Sequence, residues 1–357
     1  MSGSTPKPQS TNLDRVRTAT YRPPVELEPG VWRLRVAQPR FAANYVYVLL
    51  GSVPTLIDSG HPDPETQAQL DRGLEFLGLQ RKDIAQILYT HTHLDHLGGG
   101  MKTWGTPELR HVEHRLPAGA VEAGVDTAFG AYTIRLHEWF EWMETLPDHP
   151  YLDGLRAMRS THPEGSPWLR VAEGLGRTTG RPLVPGTFVS AGDLRLEILD
   201  VHGHDPHHIA FVEENTRWAV TGDIIVGTPR PLVPPMGDDA LPYREALDRI
   251  ADLAPDRVFP AHGLVFDDGR AAIRSTAAHF DAFSASILRN LGRLGVSGPV
   301  GAPAILQNYL DRDPSFREAD RALPGVLLGG IHAHLTRLER LGAARQPEPN
   351  AFLPEAA

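Results

Sequence analysis

Apolar positions along this chain follow two periods in turn. Short apolar runs typical of strands occupy Val31–Val36, Tyr45–Leu50 and Thr55–Ile57, with a Gly51-Ser52 turn between the last two. From Asp63 to Leu77 the spacing changes to that of a helix, with Leu70, Leu74 and Leu77 on one face. A further strand is predicted at Ile84–Tyr89, and others at Leu194–Val201, Ile209–Val212, Trp218–Val220 and Arg257–Pro260, with a helix over Pro242–Leu253. Beyond Gly269 the pattern is helical throughout, ending with Leu328, Ile331, Leu335 and Leu338 on one face.

Residues 120–190 break this order. His137–Leu146 is crowded with aromatics, and prolines 147, 150, 163 and 167 follow, as in an inserted helix-and-loop excursion. The expected organisation is a loose arm over 1–29, a main domain over 30–268 carrying the insertion, a small helical domain over 269–345, and a frayed tail over 346–357.

Composition narrows the function. The chain has 357 residues, 41% apolar and 22% charged, with 35 Lys and Arg against 44 Asp and Glu, a net charge of −9. An acidic total argues against a nucleic-acid partner, which needs a basic track for phosphates. There is no cysteine, so thiolate metal sites, thiol nucleophiles and disulfides are excluded, and any metal must be held by His, Asp or Glu. No apolar run of about 18 residues exists to span a membrane. Met1–Asn12 is polar without the apolar core of a secretory signal, so the expected location is cytoplasmic.

The densest chemistry is His91-x-His93-x-Asp95-His96, directly after a predicted strand. Alternate residues of an extended backbone point the same way, so His91, His93 and Asp95 are expected to converge, with His96 turning in from the next bend. Such a cluster is costly to bury without a cation. His204, Asp223 and His262 each follow a predicted strand and abut a glycine, as residues presented at one rim of a sheet do.

The ordered series His-x-His-x-Asp-His, His, Asp, His resembles the metallo-β-lactamase superfamily, an α/β fold built as an αββα sandwich. Asn44-Tyr45 resembles the start of a family strand, and Leu56–Gly60 its early strand-turn. The resemblance covers about 30–120 and 190–265. It implies a helical insertion, a small C-terminal helical, winged-helix-like domain, and two metals, zinc with iron or manganese as alternatives. His91, His93 and His204 would hold one metal, Asp95, His96 and His262 the other, and Asp223 would bridge them. Asp95 and Asp223 are the candidate catalytic carboxylates, and a bridging hydroxide the implied nucleophile. Asp58, Thr90, His208 and His279 are candidate supports behind the ligands. The C-terminal part resembles the branch of beta-lactamase-like protein 2, although Phe280 stands where that branch carries arginine after the histidine. In the motif around His204, the residues His202, Asp205 and His207 depart from the usual family pattern; they read either as supports behind the ligands or as surface positions, with a solvated or structural role favoured.

The expected function is therefore a metal-dependent hydrolase of a small-molecule ester, thioester or lactone. Alternatives are a β-lactam hydrolase, a phosphodiesterase or ribonuclease, and an iron-dependent sulfur dioxygenase. Arg230 is the candidate contact for a substrate carboxylate or phosphate. Trp139, Phe140, Trp142 and Met143 line a substrate pocket in one reading. In the other they pack the insertion onto the body or form the face of a homodimer.

Overall fold

The computed structural model describes residues 21–38, 43–104, 106–123, 139–161, 181–226, 239–322 and 325–355. Strands β1 (Val25–Glu28), β2 (Val31–Val36), β3 (Asn44–Leu49), β4 (Thr55–Ile57), β5 (Gln86–Leu88) and β6 (Glu113–Arg115) lie in that order in one sheet. The first four pair antiparallel. The pairings of β4 with β5 and β5 with β6 are parallel, because helices α1 (Pro64–Phe76) and α2 (Leu94–Thr103) carry the chain back across the sheet. Helix α1 starts where it does because Asp63 accepts the Glu65 N–H and Pro64 occupies the first turn. Leu34, Val36, Val46, Val48, Leu56 and Ile87 pack one face of the sheet onto Leu70 and Leu74 of α1 and Leu94 and Leu97 of α2. A short helix, α3 (Ala118–Glu122), follows β6.

The second sheet has the order β11-β10-β9-β8-β7, with β7 (Phe188–Ala191), β8 (Leu194–Asp200), β9 (Ile209–Glu213), β10 (Trp218–Gly222) and β11 (Arg257–Pro260). Its inner face contributes Leu196, Ile198, Phe211, Trp218, Val220 and Phe259 to a core shared with Tyr47, Leu49, Ile57 and Leu88 of the first sheet. Its outer face lies under α5 (Leu241–Leu253) and α6 (Gly269–Leu294), through Tyr243, Leu247, Ile250, Ile273 and Phe280. The layers are thus helix, sheet, sheet, helix, and both sheets are buried on both faces. That is why their strands read as nearly continuous apolar runs. No helix among the described residues is long and apolar enough to cross a membrane.

Beyond the sandwich, α6 continues into a helical region with α7 (Ala302–Arg312), α8 (Pro314–Ala322) and α9 (Val326–Arg340). Ile287, Leu291, Ile305, Leu306, Leu328, Ile331 and Leu335 form its core. The tail expected to fray is instead a hairpin, β12 (Ala344–Glu348) with β13 (Ala351–Pro354). Phe352 anchors it, buried in the helical core and bridged to Val300 by two backbone hydrogen bonds of 2.8 and 2.9 Å. Phe352→Ala should lower the unfolding free energy by about 3–5 kcal/mol, the usual cost of deleting a buried aromatic. Equilibrium denaturant unfolding would show this as a lower midpoint; an unchanged midpoint would mean the hairpin contributes nothing to the core.

The same core absorbs the aromatic cluster of the insertion. Met143, Leu146, Leu152 and Leu155 are buried in it, the last two on α4 (Pro150–Thr161), and Trp139, Phe140 and Trp142 pack against it. Trp142 meets His332 of α9 edge to face at 5.1 Å. Met143 is wholly enclosed, and Trp139, Phe140 and Trp142 pack helical residues 139–144 against the C-terminal helices.

Candidate metal centre

The seven candidate ligands leave their elements at one edge of the sandwich. His91 lies on the segment running out of β5, and His93 is the N-cap residue of α2. Asp95 and His96 sit in the first turn of that helix. The extended alternation expected over His91–Asp95 therefore ends at His93, where its carbonyl begins to accept the N–H groups of His96 and Leu97 at 3.0 Å. Helical rotation after the cap sends Asp95 and His96 to a different cluster from His91 and His93. His204 stands in the loop between β8 and β9, Asp223 directly follows β10, and His262 follows β11. Gly222 holds a φ of +53°, and a Cβ there would overlap His208 Nε2 and lie 2.9 Å from Thr90 Oγ1. The missing side chain is what lets Asp223 close on the histidines.

Two clusters result. His91, His93, His204 and Asp223 bring one ligand atom each within 4.8 Å of one another, and so do Asp95, His96 and His262. In the first, His93 Nδ1 lies 3.0 Å from both His91 Nε2 and His204 Nε2. In the second, Asp95 Oδ2 lies 3.2 Å from His262 Nε2 and 3.5 Å from His96 Nε2. Asp223 joins them, since its Oδ2 is 3.5 Å from Nε2 of His204, of His96 and of His262.

The donor set fits divalent cations. The Thr90 hydroxyl donates to Asp58 and so accepts the Nδ1–H of His91 at 3.0 Å. Asp58 Oδ2 accepts Nδ1–H of His96 at 2.8 Å, and the Ala43 carbonyl accepts that of His262 at 3.2 Å. Each bond leaves the Nε2 lone pair of its ring facing the cluster. His96 Nε2 and Asp223 Oδ1 are buried and make no hydrogen bond. Buried polar atoms are rarely left so, and a cation satisfies them.

The charges agree. Burial holds His93 down at about 4, and His91 well below the usual imidazole range, with neighbouring imidazoles adding to it. His91 and His93 therefore offer neutral nitrogen ligands. For His262 burial works in the same direction, but Asp223 and Asp95 outweigh it and hold the ring up at about 10. Burial likewise opposes ionisation of Asp223, yet His262 and His96 draw it well below the ordinary carboxylate range. The carboxylates of the second cluster thus favour positive charge at the place between them and the imidazoles that a cation would take.

The supporting residues divide sharply. Asp58 accepts the Thr90 N–H and hydroxyl as well as His96, from a backbone at φ +61°. His208 is buried and stacks on His91 at 4.4 Å between ring centroids. His279, expected among the supports, is exposed on α6 and bonds the Ser275 carbonyl of its own helix. The enclosed residue is its neighbour Phe280, stacked on Tyr243. Arg230 falls outside the described residues.

Asp205, for which the sequence left a supporting role and a solvated or structural one open, is fully buried. It accepts the Thr92 hydroxyl at 2.9 Å and the His207 N–H at 2.8 Å, with Oδ2 4.0 Å from His93 Nε2. It ties the loop carrying His91 and His93 to the loop carrying His204. Its only signal in the sequence was its place beside a ligand.

Fold and rim together define an αββα sandwich with two adjoining clusters of residues that could hold cations. Over residues 39–262 the chain matches the model of the metallo-beta-lactamase superfamily, and it belongs to that superfamily. It is similar to a probable metallo-hydrolase of Bacillus subtilis, YqjP, at 24% identity over 243 residues, 64% of this chain and 70% of that protein. Similarity to the beta-lactamase-like protein 2 homolog of Drosophila melanogaster is 22% over 305 residues, covering 83% and 81%. A metallo-beta-lactamase family protein of Thermus thermophilus has the same fold, with a TM-score of 0.67 at 21% identity, over 92% of this chain and 100% of that one.

Proposed function

We propose that this protein is a dinuclear zinc hydrolase of a small-molecule ester, thioester or lactone. The observation that carries the reading is the position of Asp223 Oδ2, 3.5 Å from histidine nitrogens of both clusters. One carboxylate so placed brings two cations close enough to act on one bond. Zinc suits a site made only of imidazole and carboxylate donors. When bound, the two cations supply a water of lowered pKa and polarise the acyl oxygen.

The chain's own groups do the rest. His91, His93 and His204 would hold one cation, and Asp95, His96 and His262 the other, with Asp223 within reach of both. Asp95 is the candidate to orient the attacking water and accept its proton at a carboxylate oxygen. The His93 side chain, 32% exposed, marks the open face of the site. A net charge of −9 favours a small substrate over a polyanion.

The test is metal content of protein purified without added metal, with hydrolysis of an aryl ester, thioester, lactone, cephalosporin and bis-aryl phosphate. The expected result is two zinc ions per chain, with turnover of an acyl substrate that chelation abolishes. His96→Ala should remove one zinc and lower kcat/KM by about 100-fold or more, since it deletes a direct ligand and exceeds the effect of losing a residue behind one. One iron per chain with no hydrolysis of any panel member would overturn the reading.

A further inference from the structure

Asn44 opens β3 at the metal edge and is fully buried, though it is not a ligand. Its Nδ2 donates to the Asp95 carbonyl at 2.6 Å, and its Oδ1 accepts the Tyr45 N–H at 2.6 Å. Both ends of the amide are therefore engaged and its orientation is set. That carbonyl lies in the first turn of α2, and its usual helical partner, the Gly99 N–H, donates to Gly60 at 2.8 Å.

Residues 43–45 also reach across to the other sheet. Asn44 faces His262 in an isolated antiparallel bridge, and the Tyr45 N–H donates to the Ala261 carbonyl at 2.8 Å. The Ala43 carbonyl accepts Nδ1–H of His262. Residues 43–45 thus grip Asp95 from α2 and His262 from β11, which are 167 positions apart in the chain. The first cluster is tied differently, through Asp205 and Thr92.

We propose that Asn44 is a positioning residue specific to the second cluster, setting the approach of Asp95 to His262 across the gap between the sheets. The inference rests on the dinuclear reading and deepens it. A ligand pair drawn from two layers has no local sequence to hold its spacing, and a buried amide bonded at both ends supplies that constraint.

Asn44→Asp tests this with little change of shape. It keeps an oxygen for the Tyr45 N–H but replaces the donor facing the Asp95 carbonyl with an acceptor. Stepwise zinc titration against a chromophoric chelator should show the weaker equivalent losing about 10–100-fold in affinity. The tighter equivalent should stay close to wild type, while the metal-free chain should still unfold in one cooperative thermal transition, at a midpoint lowered by the lost buried hydrogen bond. Asn44→Ala should show the same selective loss. Equal weakening of both equivalents would assign Asn44 a general structural role and overturn the proposal, as would an unchanged second equivalent. A wild-type chain that takes up fewer than two zinc ions overturns the dinuclear reading together with this one. Two zinc ions in wild type, bound equally well in Asn44→Asp, overturn this one alone.

Discussion

Asp223→Ala should strip both metal equivalents from the protein, where each single histidine replacement strips one. The geometry makes this carboxylate unlike the other six ligands: its Oδ2 is equidistant, at 3.5 Å, from Nε2 of His204 in the first cluster and of His96 and His262 in the second. Without it the first cluster is three imidazoles with no carboxylate ligand. The second keeps Asp95 as its only carboxylate, and any two cations would face one another without a negative charge between them. Breaking a buried charge pairing costs about 3–5 kcal/mol. At 1.36 kcal/mol per factor of ten, that is a loss of about 10²–10⁴-fold in metal affinity, with kcat/KM falling at least as far. Metal content after dialysis, beside hydrolysis of the preferred acyl substrate, reads both. Retention of two metals with activity within tenfold of wild type would mean that Asp223 bridges nothing.

The sequence made the ligands legible because metal binding concentrates costly residues at strand ends, where a short apolar run stops at a histidine or aspartate. It made the sandwich legible because both sheets are buried on both faces. What it hid has specific causes. Strand β6 is Glu113-His114-Arg115, partly exposed at a sheet edge and without apolar pattern. The β12–β13 hairpin buries only Ala344, Ala351 and Phe352, and three prolines interrupt its eleven positions, so it looks unstructured in sequence. The face of Trp139–Met143 was visible as apolar, but periodicity does not say which surface an apolar face meets; here it meets α6, α7 and α9. His279 was misplaced because one step along a helix turns a side chain by about 100°. The inward position belongs to Phe280. Asp205 and Asn44 act through contacts 113 and 51 residues away, and no local pattern encodes those partners.

Asp58 is where sequence and structure converge most fully, and its replacement carries the second large expected effect. The residue is buried, accepts from the Thr90 N–H, the Thr90 hydroxyl and His96 Nδ1, and holds φ at +61°. Through Thr90 it also fixes His91, so one side chain orients a ligand in each cluster. Asp58→Ala leaves these donors unanswered in a buried site, at about 1–3 kcal/mol for each, and sets a Cβ residue without a polar side chain in the left-handed region. Its expected result is a poorly folded chain, which by itself would say little about the metals. Asp58→Asn separates the two roles. Asparagine tolerates the positive φ and keeps one acceptor oxygen, but its NH₂ must face either Thr90 or His96, which are both donors. The chain should stay folded with a lowered midpoint of unfolding. The freed His96 ring should cost about 10–100-fold in metal affinity and in kcat/KM, the usual price of losing the carboxylate behind a metal-bound histidine. Because Asp58 reaches both clusters, both equivalents should weaken, which separates it from Asn44. An Asp58→Asn protein that binds two zinc ions and turns over substrate like wild type would show that the histidines are oriented without it.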